Sequence, residues 1–89
     1  MFMINQKSPS VTVENIVNSK INKVDFTNLK FGHVFTDYMF ECDYIDESWV
    51  NPIIKPFGNL SISPASKVFH YGQAVFEGMK AYKDDQGKI

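Results

Sequence analysis

Phe69-His70-Tyr71-Gly72-Gln73-Ala74-Val75-Phe76-Glu77-Gly78-Met79-Lys80-Ala81-Tyr82 is the densest run of aromatics and glycines in the chain. Whether it is helix or strand decides the fold class. At helical spacing, Ala65, Val68, Phe69, Gly72, Val75, Phe76, Met79 and Tyr82 share one face of a long helix. Ser63-Pro64 would start it, a capping side chain followed by proline at the first helical position. Gly72 and Gly78 oppose that reading. The first suits a C-cap, and the second weakens a continuing helix by about 1 kcal/mol. At strand spacing, Val75 to Tyr82 also alternates. Asp84-Asp85-Gln86-Gly87 then carries the turn chemistry for a hairpin between Val75–Lys83 and the residues from Lys88. Periodicity alone tilts towards the long helix.

Working upstream, Val34 to Tyr44 alternates without a break. Val34, Thr36, Tyr38, Phe40, Cys42 and Tyr44 point one way, and Phe35, Asp37, Met39, Glu41 and Asp43 the other. Period two over that length predicts a strand with one buried face. Asp46-Glu47-Ser48 makes the next turn. Trp49 to Phe57 reads as a second strand, placed at a sheet edge because Pro52 and Pro56 cannot donate to a ladder. Gly58-Asn59 marks a further turn. Before Phe31-Gly32, Asp25 to Lys30 reads as a turn. From Thr12 to Val24 the apolar residues recur at helical spacing, but β-branched residues and asparagines are poor helix formers, and a partly extended arm is expected. Residues 5–10 are mostly polar, and residues 1–10 are expected to form a loose arm.

A chain of 89 residues makes one modest domain at most. The net charge is −1, and all nine basic residues are lysines. Arginine is the side chain that grips phosphate or carboxylate in two parallel hydrogen bonds. Its absence argues against nucleic-acid binding and against a complete site for a phosphorylated cofactor. Cys42 is the only cysteine, which excludes an internal disulfide and a multi-thiolate zinc site, and a lone thiol fits a reducing compartment. No apolar run is long enough to span a membrane, and the N-terminus lacks the pattern of a signal peptide. Asn59-Leu60-Ser61 spells a glycosylation acceptor that, without a secretory signal, carries no weight.

Local chemistry is sparse. His33 and Asp37 have a spacing that brings ligands together only on a helix, and they lie in a strand-like segment, so no metal site is expected. Neither a nucleophile elbow nor a glycine-rich phosphate loop is present. Cys42 has no histidine partner nearby in sequence. Glu77 is a lone carboxylate with no visible partner. More informative are Phe31, Tyr71 and Phe76, which stand beside or near Gly32, Gly72 and Gly78. Aromatics next to glycines can wall an apolar pocket, and they can equally belong to an aromatic-rich core.

Lys30-Phe31-Gly32-His33-Val34-Phe35-Thr36-Asp37-Tyr38-Met39 resembles the FG-x-x-FTD-[YH]-M segment of the branched-chain amino acid aminotransferases, fold-type IV enzymes that use pyridoxal phosphate. The residues from Ile54 to Ser66 resemble the family's linking segment. His70-Tyr71-Gly72 and Phe76-Glu77-Gly78-Met79-Lys80-Ala81-Tyr82 resemble the block after it. Order and spacing agree over residues 25–89. The histidine–tyrosine–glycine block is shared with other fold-type IV enzymes, whereas the segment around Phe31 is narrower to this subgroup. The resemblance implies an α+β fold of antiparallel strands with one short helix. It therefore favours a short helix, a strand and a hairpin over the long helix. It divides the chain into an N-terminal arm, 1–30, and the truncated start of the small domain, 31–89.

The resemblance also implies site residues. Phe31 and Phe76 would wall the substrate side chain, Tyr71 would reach the pocket from the neighbouring subunit of a homodimer, and the Gly78 backbone would lie near the substrate. A branched aliphatic side chain offers no hydrogen bonds and is selected by the shape of an apolar pocket, at about 1–3 kcal/mol per methylene. Transamination further needs a lysine that bonds the cofactor aldehyde and moves a proton, a phosphate cup, and a carboxylate at the pyridine nitrogen. In the family these lie downstream of the matched region, so no catalytic and no cofactor-binding residue is assigned within this chain. The expectation is a piece of a cytoplasmic aminotransferase acting on leucine, isoleucine or valine and 2-oxoglutarate, inactive by itself. Two alternatives stand beside it. One is another fold-type IV enzyme, such as a D-amino acid aminotransferase or an aminodeoxychorismate lyase. The other is a non-catalytic remnant that associates with a homologue.

Overall fold

The computed structural model describes residues 10–89, so the loose arm expected of residues 1–10 lies, except for Ser10, outside the described residues. Two compact units follow one another along the chain, Met1–Asn59 and Leu60–Ile89. Among the described residues, three strands and a short 3-10 turn, Ile21–Lys23, belong to the first unit. The second has one four-residue helix.

The first unit is built on a hairpin of β2 (Tyr38–Ile45) and β3 (Ser48–Pro56). Ile45 pairs with Ser48, which leaves Asp46 and Glu47 as a two-residue loop. Both have positive φ, 51° and 65°. That is the turn whose twist matches a right-twisted hairpin, and it usually recruits asparagine and glycine. Strand β2 starts at Tyr38, later than the alternation from Val34 predicts. Just before it, Thr36 donates its hydroxyl to the Tyr38 carbonyl and the Asp37 side chain turns to another segment.

Strand β3 is central, which corrects the expected edge position. The sheet order is β1-β3-β2, with β1 (Thr12–Val13) beside the far side of β3. A bulge explains how a strand with prolines can sit there. Glu41 pairs with Ile53 and Asp43 with Val50, so Cys42 faces two residues, Asn51 and Pro52. Asn51 takes φ 54°, and the missing N–H of Pro52 falls where the ladder is already interrupted. Strand β1 meets only Ile53 and Ile54, between the two prolines, and the Glu14 N–H extends the pairing to the Ile54 carbonyl at 2.8 Å. This pairing is parallel, so the sheet is mixed rather than wholly antiparallel as expected.

The alternation does sort the side chains. Directly opposed residues share a face, which places Tyr38, Phe40, Tyr44, Trp49, Ile54 and Pro56 together. Tyr44 and Trp49 touch there with ring centroids 4.9 Å apart. On the opposite face Glu41 and Lys55 form an ion pair at 3.0 Å. The expected burial is not realised among the described residues. Phe40, Tyr44 and Trp49 are 60 %, 60 % and 67 % exposed, because no second layer covers that face of the hairpin. Pro52 is buried.

In the second unit, helix α1 spans Lys67–His70. The long helix favoured by periodicity does not form. Ser63-Pro64 makes a turn instead, with the Ser66 N–H on the Ser63 carbonyl at 3.0 Å and the Ala65 N–H on the Ser63 hydroxyl at 3.1 Å. Ser66 takes the N-cap position, Tyr71 the C-cap, and Gly72 follows with φ +61°. A glycine in the left-handed region just past the last turn stops the helix there. The expected hairpin is realised only as its turn. Asp84 donates its N–H to the Lys88 carbonyl at 2.7 Å, and its carboxylate accepts from the Gln86 and Lys88 amides. Residues 75–83 form no strand.

Candidate functional site

The segment between Lys20 and Asp37 carries Phe31, the first of the residues singled out from the sequence. Two turns shape it. The Asn28 N–H reaches the Asp25 carbonyl at 3.2 Å, while the Asp25 carboxylate accepts from the Thr27 amide at 3.0 Å and the Thr27 hydroxyl at 2.6 Å. The His33 N–H reaches the Lys30 carbonyl at 3.2 Å, which puts Phe31 and Gly32 at the two central positions of a second turn. Gly32 has φ +79°, the conformation a type II turn needs at its third residue. Phe31 is therefore presented at a tip and is fully exposed, at 103 %.

The two ends of this segment are tied together by one side chain. Asp37 accepts from the Ser19 hydroxyl at 2.6 Å on one oxygen and from the Lys20 amide at 3.0 Å on the other. Ser19 in turn accepts from the Ile21 amide at 3.1 Å. Next to this pair, the Ile16 N–H donates to the Tyr38 hydroxyl at 3.1 Å. The backbone carbonyl of Asp37 receives the Phe57 N–H at 2.9 Å, and Phe35 stacks on Phe57 with centroids 4.9 Å apart. The Ser19 hydroxyl first, and the Lys20 amide second, hold the Asp37 carboxyl below its ordinary range. Hydrogen bonds to the ionised form have that effect.

Inside this loop lies an open groove of about 930 Å³. Its lining is mostly apolar, with Val24, Leu29, Phe31, Val34 and Phe35 among the walls and Asp37 at the border. Such a surface selects by size and shape rather than by hydrogen bonding. Among the described residues, Lys20 and Lys30 are the cations along it.

The other residues singled out, Tyr71, Phe76 and Gly78, belong to the second unit. Tyr71 closes helix α1 through its N–H on the Lys67 carbonyl at 2.8 Å, and its side chain is 76 % exposed. Phe76 is 94 % exposed on an irregular stretch, and a Cβ placed on Gly78 would meet nothing within 4 Å. Neighbouring His70 is engaged structurally, with Nε2–H donating to the Pro64 carbonyl at 2.7 Å. Among the described residues no three His, Cys, Asp or Glu side chains gather as a metal would require, and no helix is long and apolar enough to cross a membrane.

Ser19, Lys20 and Asp37 as a unit were not anticipated from the sequence. In the sequence Asp37 stands four residues after His33 and inside the segment that carries the resemblance, whereas its partners lie 17 and 18 residues upstream. Its place beside Phe35-Thr36 was the one signal available.

Comparison with known proteins supplies the class. Branched-chain-amino-acid transaminase 1 of Bacillus subtilis (strain 168) is 53 % identical over 68 residues, which is 75 % of this chain and 19 % of the relative. The cytosolic branched-chain-amino-acid aminotransferase of Caenorhabditis elegans is 48 % identical over 71 residues, 79 % of this chain and 17 % of the relative. For the branched-chain-amino-acid aminotransferase of Monosiga brevicollis the figures are 41 % over 80 residues, 89 % and 20 %. No family model and no solved structure matches the chain. Over these stretches the chain is similar to aminotransferases. More narrowly, it is homologous to a partial, N-terminal region of the branched-chain-amino-acid aminotransferases. The chain spans about a fifth of the length of the curated relatives it matches.

Proposed function

We propose that this chain is the N-terminal part of a pyridoxal phosphate-dependent branched-chain amino acid aminotransferase of fold-type IV. In that enzyme an amino group passes between leucine, isoleucine or valine and 2-oxoglutarate. The observation that carries the reading is the 53 % identity over 68 residues with the Bacillus subtilis transaminase. We further infer a cytoplasmic homodimer, with residues 1–30 as an arm and 31–89 as the start of the small domain.

The residues in hand do not fit a seat for pyridoxal phosphate. The chain has no arginine to fork a phosphate, and the one carboxylate at the groove already accepts from Ser19 and Lys20. Lys20 and Lys30 border a surface that is otherwise mostly apolar. No step through the cofactor is assigned to these residues. What they supply is substrate recognition. Phe31 at the turn tip and Phe76 would each present apolar surface to the aliphatic side chain, the Gly78 backbone would lie near the substrate, and Tyr71 would reach it from the neighbouring subunit of a homodimer. An added or missing methylene then changes the fit by about 1–3 kcal/mol.

The test is turnover by the intact product of the gene as its host makes it. With pyridoxal phosphate and 2-oxoglutarate present, glutamate should form with leucine, isoleucine and valine, and far more slowly with alanine. The 89-residue chain alone should form none. An intact product several times the mass of this chain that transaminates none of the three amino acids would overturn the reading.

A further inference from the structure

We propose that Asp37 is a positioning residue: its carboxylate ties the neck of the loop 21–36 and thereby holds Phe31 at the loop's tip. The part of this that concerns substrate rests on the aminotransferase reading above.

The geometry is that of a loop whose two ends meet. Ser19 and Lys20 enter it, Asp37 leaves it, and both oxygens of one side chain bridge them at 2.6 and 3.0 Å across separations of 18 and 17 residues. Surface loops of this length with adjacent ends are compact units packed by their own side chains. Here the side chains are largely exposed, and the internal order comes from the two turns. No strand or helix continues from β2 into the loop to hold it from that side. The carboxylate is thus the direct polar link across the neck, seconded by the Ile16–Tyr38 bond one position on. On the β2 side Asp37 is itself held, by the Phe57 N–H on its carbonyl and by the Phe35–Phe57 stack next to it. One anchor is firm, the other is tethered to it, and Phe31 lies between them. Aspartate suits the task by its reach and by having two acceptors. Asparagine keeps one acceptor and offers an NH2 where the second donor points.

Displacing Phe31 by an ångström would change how an aliphatic side chain is gripped without altering any group that reacts, so the effect belongs in KM. Tethering residues far from the bonds being made can act in this way.

The experiment uses the intact gene product carrying Asp37→Ala, Asp37→Glu, Ser19→Ala, Phe31→Ala and the Asp37→Ala/Phe31→Ala pair. Hydrogen exchange is read at residues 21–36 and, as an internal standard for folding, at residues 39–55. Asp37→Ala should speed exchange in 21–36 at least tenfold while 39–55 stays as in the parent, Ser19→Ala should do so to a lesser degree, and Asp37→Glu should recover part of the protection. In turnover, Asp37→Ala should raise KM for leucine several-fold with kcat within about twofold, and it should add nothing in the Phe31→Ala background. Unchanged exchange at 21–36 for both Asp37→Ala and Ser19→Ala overturns the proposal. So does a KM effect that persists in full without Phe31, since the two residues would then act independently. If the parent transaminates no branched-chain amino acid, the functional reading falls by itself, and selective exchange at 21–36 still decides whether Asp37 holds the loop.

Discussion

Asp37 accepts from both of its partners as a carboxylate, and that fixes the direction of its pH dependence. Its carboxyl is held below the ordinary aspartate value by the Ser19 hydroxyl and then by the Lys20 amide, with the Lys20 charge a minor helper. A group whose value is lowered on folding adds stability above its unfolded value, about 3.9, and that share is lost as pH falls through the lowered folded value. The Lys20 amide resonance should therefore hold its position from pH 8 to pH 5 and move only below about 4. A midpoint near neutrality would disprove the assignment. Asp25, held low by Thr27, should follow the same sense. At Gly32 the constraint is backbone conformation rather than space. A Cβ there meets nothing within 4 Å, but φ is +79°. Gly32→Ala should cost about 1–2 kcal/mol, read as faster amide exchange at His33, whose N–H closes that turn.

Among the elements, the β2–β3 hairpin holds two local compromises that substitutions can expose. Asp46 and Glu47 occupy a loop where both φ values are positive, and glutamate is poorly suited to it. Glu47→Gly should raise hairpin stability by about 1 kcal/mol, seen as a higher denaturant midpoint followed through the Trp49 fluorescence. No change or a fall would mean the turn is of another kind in solution. Asn51 holds the bulge with φ 54°. Asparagine tolerates that region and a β-branched residue does not, so Asn51→Val should cost about 1–2 kcal/mol while Asn51→Gly is near neutral. Turn chemistry was the most legible layer of these elements. Asp46-Glu47, Gly72 and Asp84–Gly87 all make the turns or caps their residue types suggested, because each acts within four or five residues. Helix length was less legible. Ser63-Pro64 has the residues of a helix start, yet the Ser63 side chain settles on its own neighbours' amides and the helix begins at Lys67.

At the scale of the molecule, the two units leave their apolar side chains open. No large hydrophobic residue among the described ones is buried, and the Phe40–Tyr44–Trp49 face and Phe76 stand in solvent. Burial of apolar surface is what drives cooperative folding and sets the denaturant slope. The 89-residue chain should accordingly unfold with a shallow transition and bind an apolar dye before denaturant is added. A steep transition with a slope normal for its length would show that those faces are covered in solution. Their exposure also accounts for the site residues. The setting of Phe31, Tyr71 and Phe76 among glycines, together with the resemblance, points to them as pocket residues. The structure places Phe31 beside an apolar groove of the first unit and leaves Tyr71 and Phe76 largely exposed in the second.

By itself the sequence determined the local grammar: which residues turn, which alternate across the hairpin, and which proteins this region is similar to. Those properties rest on backbone preference and on patterns read within a few residues. Only the tertiary structure decided that β3 is central, that Thr12 lies beside Ile53 in a parallel pair, and that Asp37 faces Ser19 and Lys20. These contacts join positions far apart in the chain. Whether they form depends on closing long loops against entropy, and no short-range pattern of residues encodes that balance.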